Sequence, residues 1–138
     1  MPSMDQQSQN YSVSVSGYAQ RHFIKSFAKS YKSKWDETLK ALIATAERID
    51  NILLYDRADL LKYGENTKLI KLDFAVSGRK ESPKKSGNRC ILGVDEKRRT
   101  VEVLLVFAKT DLPKNQGETQ FIFQTVADKF NNLWEKLN

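Results

Sequence analysis

Residues Tyr11 to Ser16 alternate polar and apolar with a period of two, which predicts a short strand with one wet face, ended by Gly17. From Tyr18 to Tyr31 the period changes. Phe23, Ile24, Phe27 and Tyr31 fall on one face, and Arg21, Lys25, Lys29 and Lys32 on the other, so the spacing predicts an amphipathic helix. A second helix is predicted to about Ile49, with the stripe Trp35, Leu39, Leu42, Ile43, Ala46 and Ile49. Ser33 and Asp36 have the spacing of a capping box at its start. Two amphipathic helices with a short joint predict a helical hairpin packed on a sheet.

Residues 50–67 carry no clean period, although Ile52, Leu53, Leu54, Leu60 and Leu61 should touch the core. Gly64, Glu65 and Asn66 signal a turn. Ile70, Leu72, Phe74 and Val76 then share one face of a strand expected from Lys68 to Val76. Ser77 to Asn88 is polar, with two glycines and a proline, and reads as a mobile loop. Strands are expected at Arg89–Val94 and Thr100–Lys109, joined by a charged turn. The second is apolar on both parities apart from Glu102, which predicts a central, covered strand. Pro113 to Gly117 breaks the chain before a last helix, Thr119 to Leu137, with the stripe Ile122, Val126, Phe130, Leu133 and Leu137. The fold class is therefore α+β. The 138 residues allow one domain, expected from residue 11 onward behind a disordered tail of residues 1–10.

Charge changes this picture more than composition does. The net charge of +6 favours encounter with polyanions. The densest basic run is Arg79, Lys80, Lys84, Lys85 and Arg89. A single cysteine permits no internal disulfide and suits a reducing compartment. Met1 to Asn10 has neither the basic start nor the apolar core of a secretory leader, and no stretch has the length of a membrane span. A cytoplasmic protein without a membrane partner is the expectation. One His and one Cys do not make a zinc site of usual composition, and no phosphate-cradling glycine loop is present, so no metal or cofactor is expected. Cys90 reads as a packed, inert thiol and His22 as a surface or packing histidine.

The candidate chemistry lies around the hairpin of residues 89–109. With Val94 opposite Thr100, Leu105 would face Arg89 and Lys85 would face Lys109. Arg89 and Lys109 would then stand about 13 Å apart along the sheet. That separation suits a groove tracking several nucleotides, not a pocket around one phosphate. Arg89 offers a rigid fork matched to phosphate oxygens. Lys109, ending an apolar strand, is expected to be more desolvated than a surface lysine. Lys84 and Lys85 would position an RNA backbone, with Arg79 and Lys80 as further backbone contacts or solvated charges. Asp111 is a candidate base. The same cations also fit a sheet edge kept soluble by lysine.

The segment Gly87-Asn88-Arg89-Cys90-Ile91-Leu92, a short charged turn, and an apolar strand ending in Lys109 resemble the RelE/ParE superfamily of bacterial toxins. The opening strand, the Phe- and Lys-rich first helix around Phe23-Ile24-Lys25-Ser26-Phe27-Ala28-Lys29, and the strand Lys68–Val76 are similar to that family in the same order. The resemblance covers about residues 11–111. It implies a small antiparallel sheet packed on a helical hairpin, and a type II toxin neutralised by a cognate antitoxin. RelE-like members cut mRNA, on the ribosome or free of it; ParE-like members poison DNA gyrase instead. By position, Arg89 matches the family's phosphate-stabilising strand arginine, and Lys109 its basic residue at the end of the last strand. On this resemblance the chain is expected to be a metal-independent mRNA endonuclease with Arg89, Lys109 and Asp111 as candidate catalytic residues. The alternative is a non-catalytic gyrase inhibitor or nucleic-acid-binding module. The chain departs from the pattern in its longer loop 77–88, in an additional C-terminal helix, and in having Asp111 and Glu118 after Lys109 where some members carry a tyrosine.

Overall fold

The computed structural model describes residues 10–53 and 58–137. The tail expected over residues 1–10, apart from Asn10, and the core role expected for Leu54 lie outside the described residues. Strand β1 is Ser12–Val15. Helix α1 covers residues 17–31, with a π-helical stretch at Gln20–Ile24 between two α-helical ends. Helix α2 is Ser33–Glu47, followed by the single turn α3, Ile49–Ile52. Strands β2 (Ala58–Gly64) and β3 (Thr67–Phe74) form a hairpin. The turn α4 is Pro83–Ser86. Strands β4 (Asn88–Asp95) and β5 (Thr100–Ala108) form a second hairpin. Helices α5 (Glu118–Lys129) and α6 (Asn131–Lys136) close the chain.

The sheet order is β1-β5-β4-β3-β2. Strands β2 to β5 are mutually antiparallel, and β1 joins the β5 edge in parallel. Both faces are covered. Ile70, Leu72, Phe74, Cys90, Leu92 and Val94 pack against Ile24, Phe27, Trp35, Leu42 and Ala46 of α1 and α2. On the reverse face Leu69, Ile91, Leu105 and Phe107 pack against Ile122 and Val126 of α5, and Leu137. Two covered faces explain why β5 is apolar on both parities.

The differences from the sequence expectations have local causes. No capping box forms at Ser33, because Lys32 holds a left-handed conformation (φ +52) and Ser33 is already helical. The last helix breaks at Phe130 (φ −133, ψ 53) into two. The strand in residues 58–64 was hidden by a register shift between Leu60 and Lys62, which disrupts the alternation a strand would display. The loop 77–88 is not irregular throughout. Ser82 accepts a hydrogen bond from the Lys85 amide (3.3 Å), and Ser86 Oγ donates to the Phe74 carbonyl, fixing α4 against β3.

Tyr11 ties the start of β1 to α3 and to the turn between β4 and β5. Its hydroxyl donates to Asp50 (3.1 Å) and accepts from Arg99 Nη1 (3.1 Å), whose guanidinium lies 3.9 Å from the ring centre. Burial first, then the Asp50 charge, pushes its phenol up to about 12, against the opposing pull of Arg99. A phenol raised from 10.0 contributes stability below pH 10 and loses it as pH rises through 12. Tyr11→Phe is therefore expected to flatten the fall in stability across that window in alkaline denaturation. Superimposable profiles for the two proteins would refute this.

Candidate nucleic-acid interface

The hairpin register differs from expectation. Asp95, not Val94, pairs with Thr100, and an irregularity between Ile91 and Leu92 inserts Leu104 as an extra residue in β5. The Leu104 carbonyl accepts from the Ser16 hydroxyl (3.3 Å), which ties the bulge to the start of α1. Together these shifts put Phe107, not Leu105, opposite Arg89. Lys109 stands beside Gly87, its amide donating to the Gly87 carbonyl (2.7 Å), in place of the expected pairing with Lys85. The two candidate cations are thus closer in register than the expected four residues. Gly87 takes a left-handed φ of +78, which lets α4 turn directly into β4 at this point.

Arg89 is not at an open rim. It is 8% exposed and projects with Ile91 onto the face covered by α5. Its Nε donates to Glu118 Oε1 (3.0 Å) and lies 3.2 Å from Asp73 Oδ1, and its Nη1 donates to the Asn88 carbonyl (3.1 Å). Glu118 Oε2 accepts from Lys71 Nζ (2.9 Å), and Lys71 also lies 3.8 Å from Asp59. One Nε–H cannot serve two carboxylates, so Asp73 Oδ1 receives an ion pair without an aligned hydrogen bond. Burial accordingly pushes the Asp73 carboxyl up, although Arg89 and Lys71 oppose it. For Glu118, burial is outweighed by the Lys71 hydrogen bond and the charges of Lys71 and Arg89, which hold it below the usual range.

Lys109 and Asp111 lie in a 3-10 turn beyond β5. Lys109 is exposed, so the desolvation expected of it is not found. One Asp111 oxygen accepts from the Ala108 amide (3.2 Å). Asp111 also lines a cleft of about 220 Å³ with Ser26, Phe27, Ser30 and Tyr31 of α1. That cleft is on the hairpin side of the sheet, whereas Arg89 faces α5, so the structure does not bring Asp111 and Arg89 together. Arg79, Lys80, Lys84 and Lys85 are exposed. Arg79 lies over the ring of Tyr31, a wall of the same cleft, at 5.1 Å. Lys84 and Lys85 sit on α4, which leads through Gly87 to the side of Lys109. These five cations form a rim at one end of the sheet.

Asp73 and Glu118 were not foreseen as partners of Arg89, nor Lys71 as the second cation on Glu118. A signal for Lys71 and Asp73 was present: in a strand with Ile70, Leu72 and Phe74 on one face, these two must share the other. Burial of Cys90 is as expected, and it pushes the thiol up to about 12. His22 is exposed, stacked on Tyr18 at 4.2 Å.

A mixed sheet between a helical hairpin and a C-terminal helical layer, with the β4–β5 hairpin inside it and β1 on its edge, defines a RelE-like fold. A solved structure with which it aligns is a chain of the archaeal RelE–RelB complex from Pyrococcus horikoshii OT3. The TM-score is 0.50 and the identity 13%, over 75% of this chain and 99% of that one. No family model matches the sequence, and no curated protein matches it. No helix among the described residues is long and apolar enough to cross a membrane.

Proposed function

We propose that this chain is the toxin of a type II toxin–antitoxin pair, acting on mRNA as an endoribonuclease and held in check by a cognate antitoxin protein. The observation that carries this reading is the environment of Arg89. On a RelE-like sheet it stands beside Lys71 and grips an oxyanion, with an exposed cationic rim at the same end of the sheet. The rim cations Lys84, Lys85, Lys109, Arg79 and Lys80 suit the backbone of a single strand. In this reading Arg89 stabilises charge developing on a phosphate. In such a route the RNA supplies its 2′-hydroxyl as nucleophile on the adjacent phosphorus, and the bond to the 5′-oxygen breaks. The 5′-oxygen takes up a proton and the 2′-hydroxyl gives one up.

A second reading, a non-catalytic member that inhibits gyrase or binds nucleic acid, is favoured by one observation. Asp111, the candidate base, lies across the sheet from Arg89. Induced expression of wild type and Arg89→Lys in a bacterial host separates the two. Lysine keeps the charge and loses the planar fork. The endoribonuclease reading expects growth arrest with cut messages from wild type, and cutting reduced at least about 100-fold in the variant, the loss typical when one oxyanion donor is removed. Growth arrest with intact messages would establish the second reading instead.

A further inference from the structure

The C-terminal layer places a carboxylate where a nucleic acid would have to enter. We infer that Glu118 is a built-in competitor for RNA: its carboxylate occupies the phosphate position between Lys71 and Arg89, and the first turn of α5 must lift before RNA reaches Arg89. This rests on the proposed RNA-directed function.

Three observations carry it. The first is geometric. The two oxygens of one carboxylate are divided between two cations, Oε1 to Arg89 (3.0 Å) and Oε2 to Lys71 (2.9 Å). Lys71 pairs with Ile91, two residues from Arg89 on the neighbouring strand, so the two cations are diagonal neighbours on one face. Such positions are about 7–8 Å apart, a span that two long side chains close around a single oxyanion. A phosphodiester presents the same pair of anionic oxygens.

The second is charge. Asp59, Lys71, Asp73, Arg89 and Glu118 make one connected network of three acids and two bases. Withdrawing Glu118 leaves a balanced set of two and two. A phosphodiester with one negative charge then restores the original state. The exchange is one monoanion for another, so the net charge of the network is unchanged.

The third is mechanical. Glu118 is the first residue of α5, and its neighbour Gly117 has no atom within 4 Å of the Cβ position. The helix is anchored further on, by buried Ile122 and Val126. Fraying one turn therefore frees the carboxylate at the cost of the Phe121–Phe107 ring contact, while Ile122 and Val126 stay in the core. First turns are the parts of helices that open at least cost. A purely structural Glu118 would serve only to satisfy the buried Arg89 and the half-buried Lys71. In that case removing its charge would lower stability and leave RNA affinity unchanged.

The experiment measures binding of a single-stranded RNA oligonucleotide, its 2′-hydroxyls methylated to prevent cutting, to the full chain. Glu118→Gln keeps the shape and removes the charge. It is expected to bind about tenfold more tightly than wild type, and the added substitution Lys71→Met should cancel the gain. Hydrogen exchange on wild type supplies a second readout: RNA should speed exchange at amides 121–125, whose helical acceptors lie in the lifted turn, and leave 126–129 protected. If Glu118→Gln melts, Glu118→Asp is read in its place, since a carboxylate one methylene shorter cannot bridge both cations. Equal affinities for wild type and the Glu118 variants would overturn the competitor role while leaving RNA binding intact. Absence of RNA binding by every variant would remove the RNA-directed function and the competitor role together.

Discussion

Arg89→Met is expected to lower the unfolding free energy by about 3–5 kcal/mol, because it removes one partner from a buried ion network. The cost does not come from lost packing, since methionine fills a comparable length. It comes from what remains. Asp73 is 4% exposed, already lacks an aligned donor on Oδ1, and would lose its nearest cation. Glu118 would keep only Lys71. Chemical denaturation should therefore show a lower midpoint with an unchanged slope. Adding Asp73→Leu should recover most of the loss, because a carboxylate without a partner is then replaced by an apolar side chain. A single variant as stable as wild type would show that the network carries no net stabilisation. This structural role also bears on function: a truncation at Arg89 confounds folding with chemistry, and Arg89→Lys is the cleaner probe.

Much of the fold was legible because its signals are local. The period of two in Tyr11–Ser16 and the stripe through Trp35, Leu42, Ala46 and Ile49 describe how each segment buries a face, and each element formed. The apolar double parity of β5 announced a strand covered on at least one face, and the two core clusters cover both. Residues 58–64 were illegible because a bulge breaks the alternation that identifies strands. The site was less legible than the fold. Arg89, Lys84, Lys85 and Lys109 could be singled out by type and spacing, but the extra Leu104 in β5 moved the whole register. The partner of Arg89 lies 29 positions along the chain in a different element, and only tertiary packing brings it there. Glu118, from the helix that follows the resembling segment, is what covers Arg89.

The rim should carry most of the affinity for RNA while Glu118 covers Arg89. Lys84, Lys85 and Lys109 are exposed, and α4 is fixed in place by Ser82 and Ser86. Among the described residues none of the three forms an ion pair with an acid that RNA would have to displace. Each is free to neutralise one phosphate and release its counterions. For a single strand the logarithm of the binding constant falls with that of salt by about 0.7 for each phosphate neutralised. The triple variant Lys84→Ala/Lys85→Ala/Lys109→Ala is expected to bind about 100-fold more weakly at moderate salt, and its salt slope should be shallower by about 2. Its stability should stay within about 0.5 kcal/mol of wild type, as usual for surface substitutions. The most direct measurement of the central claim is a salt titration of single-stranded RNA binding by wild type and this variant. Steep salt dependence in wild type, reduced by about 2 in the variant, is the predicted result; equal slopes, or no RNA binding by the wild-type protein, would contradict it.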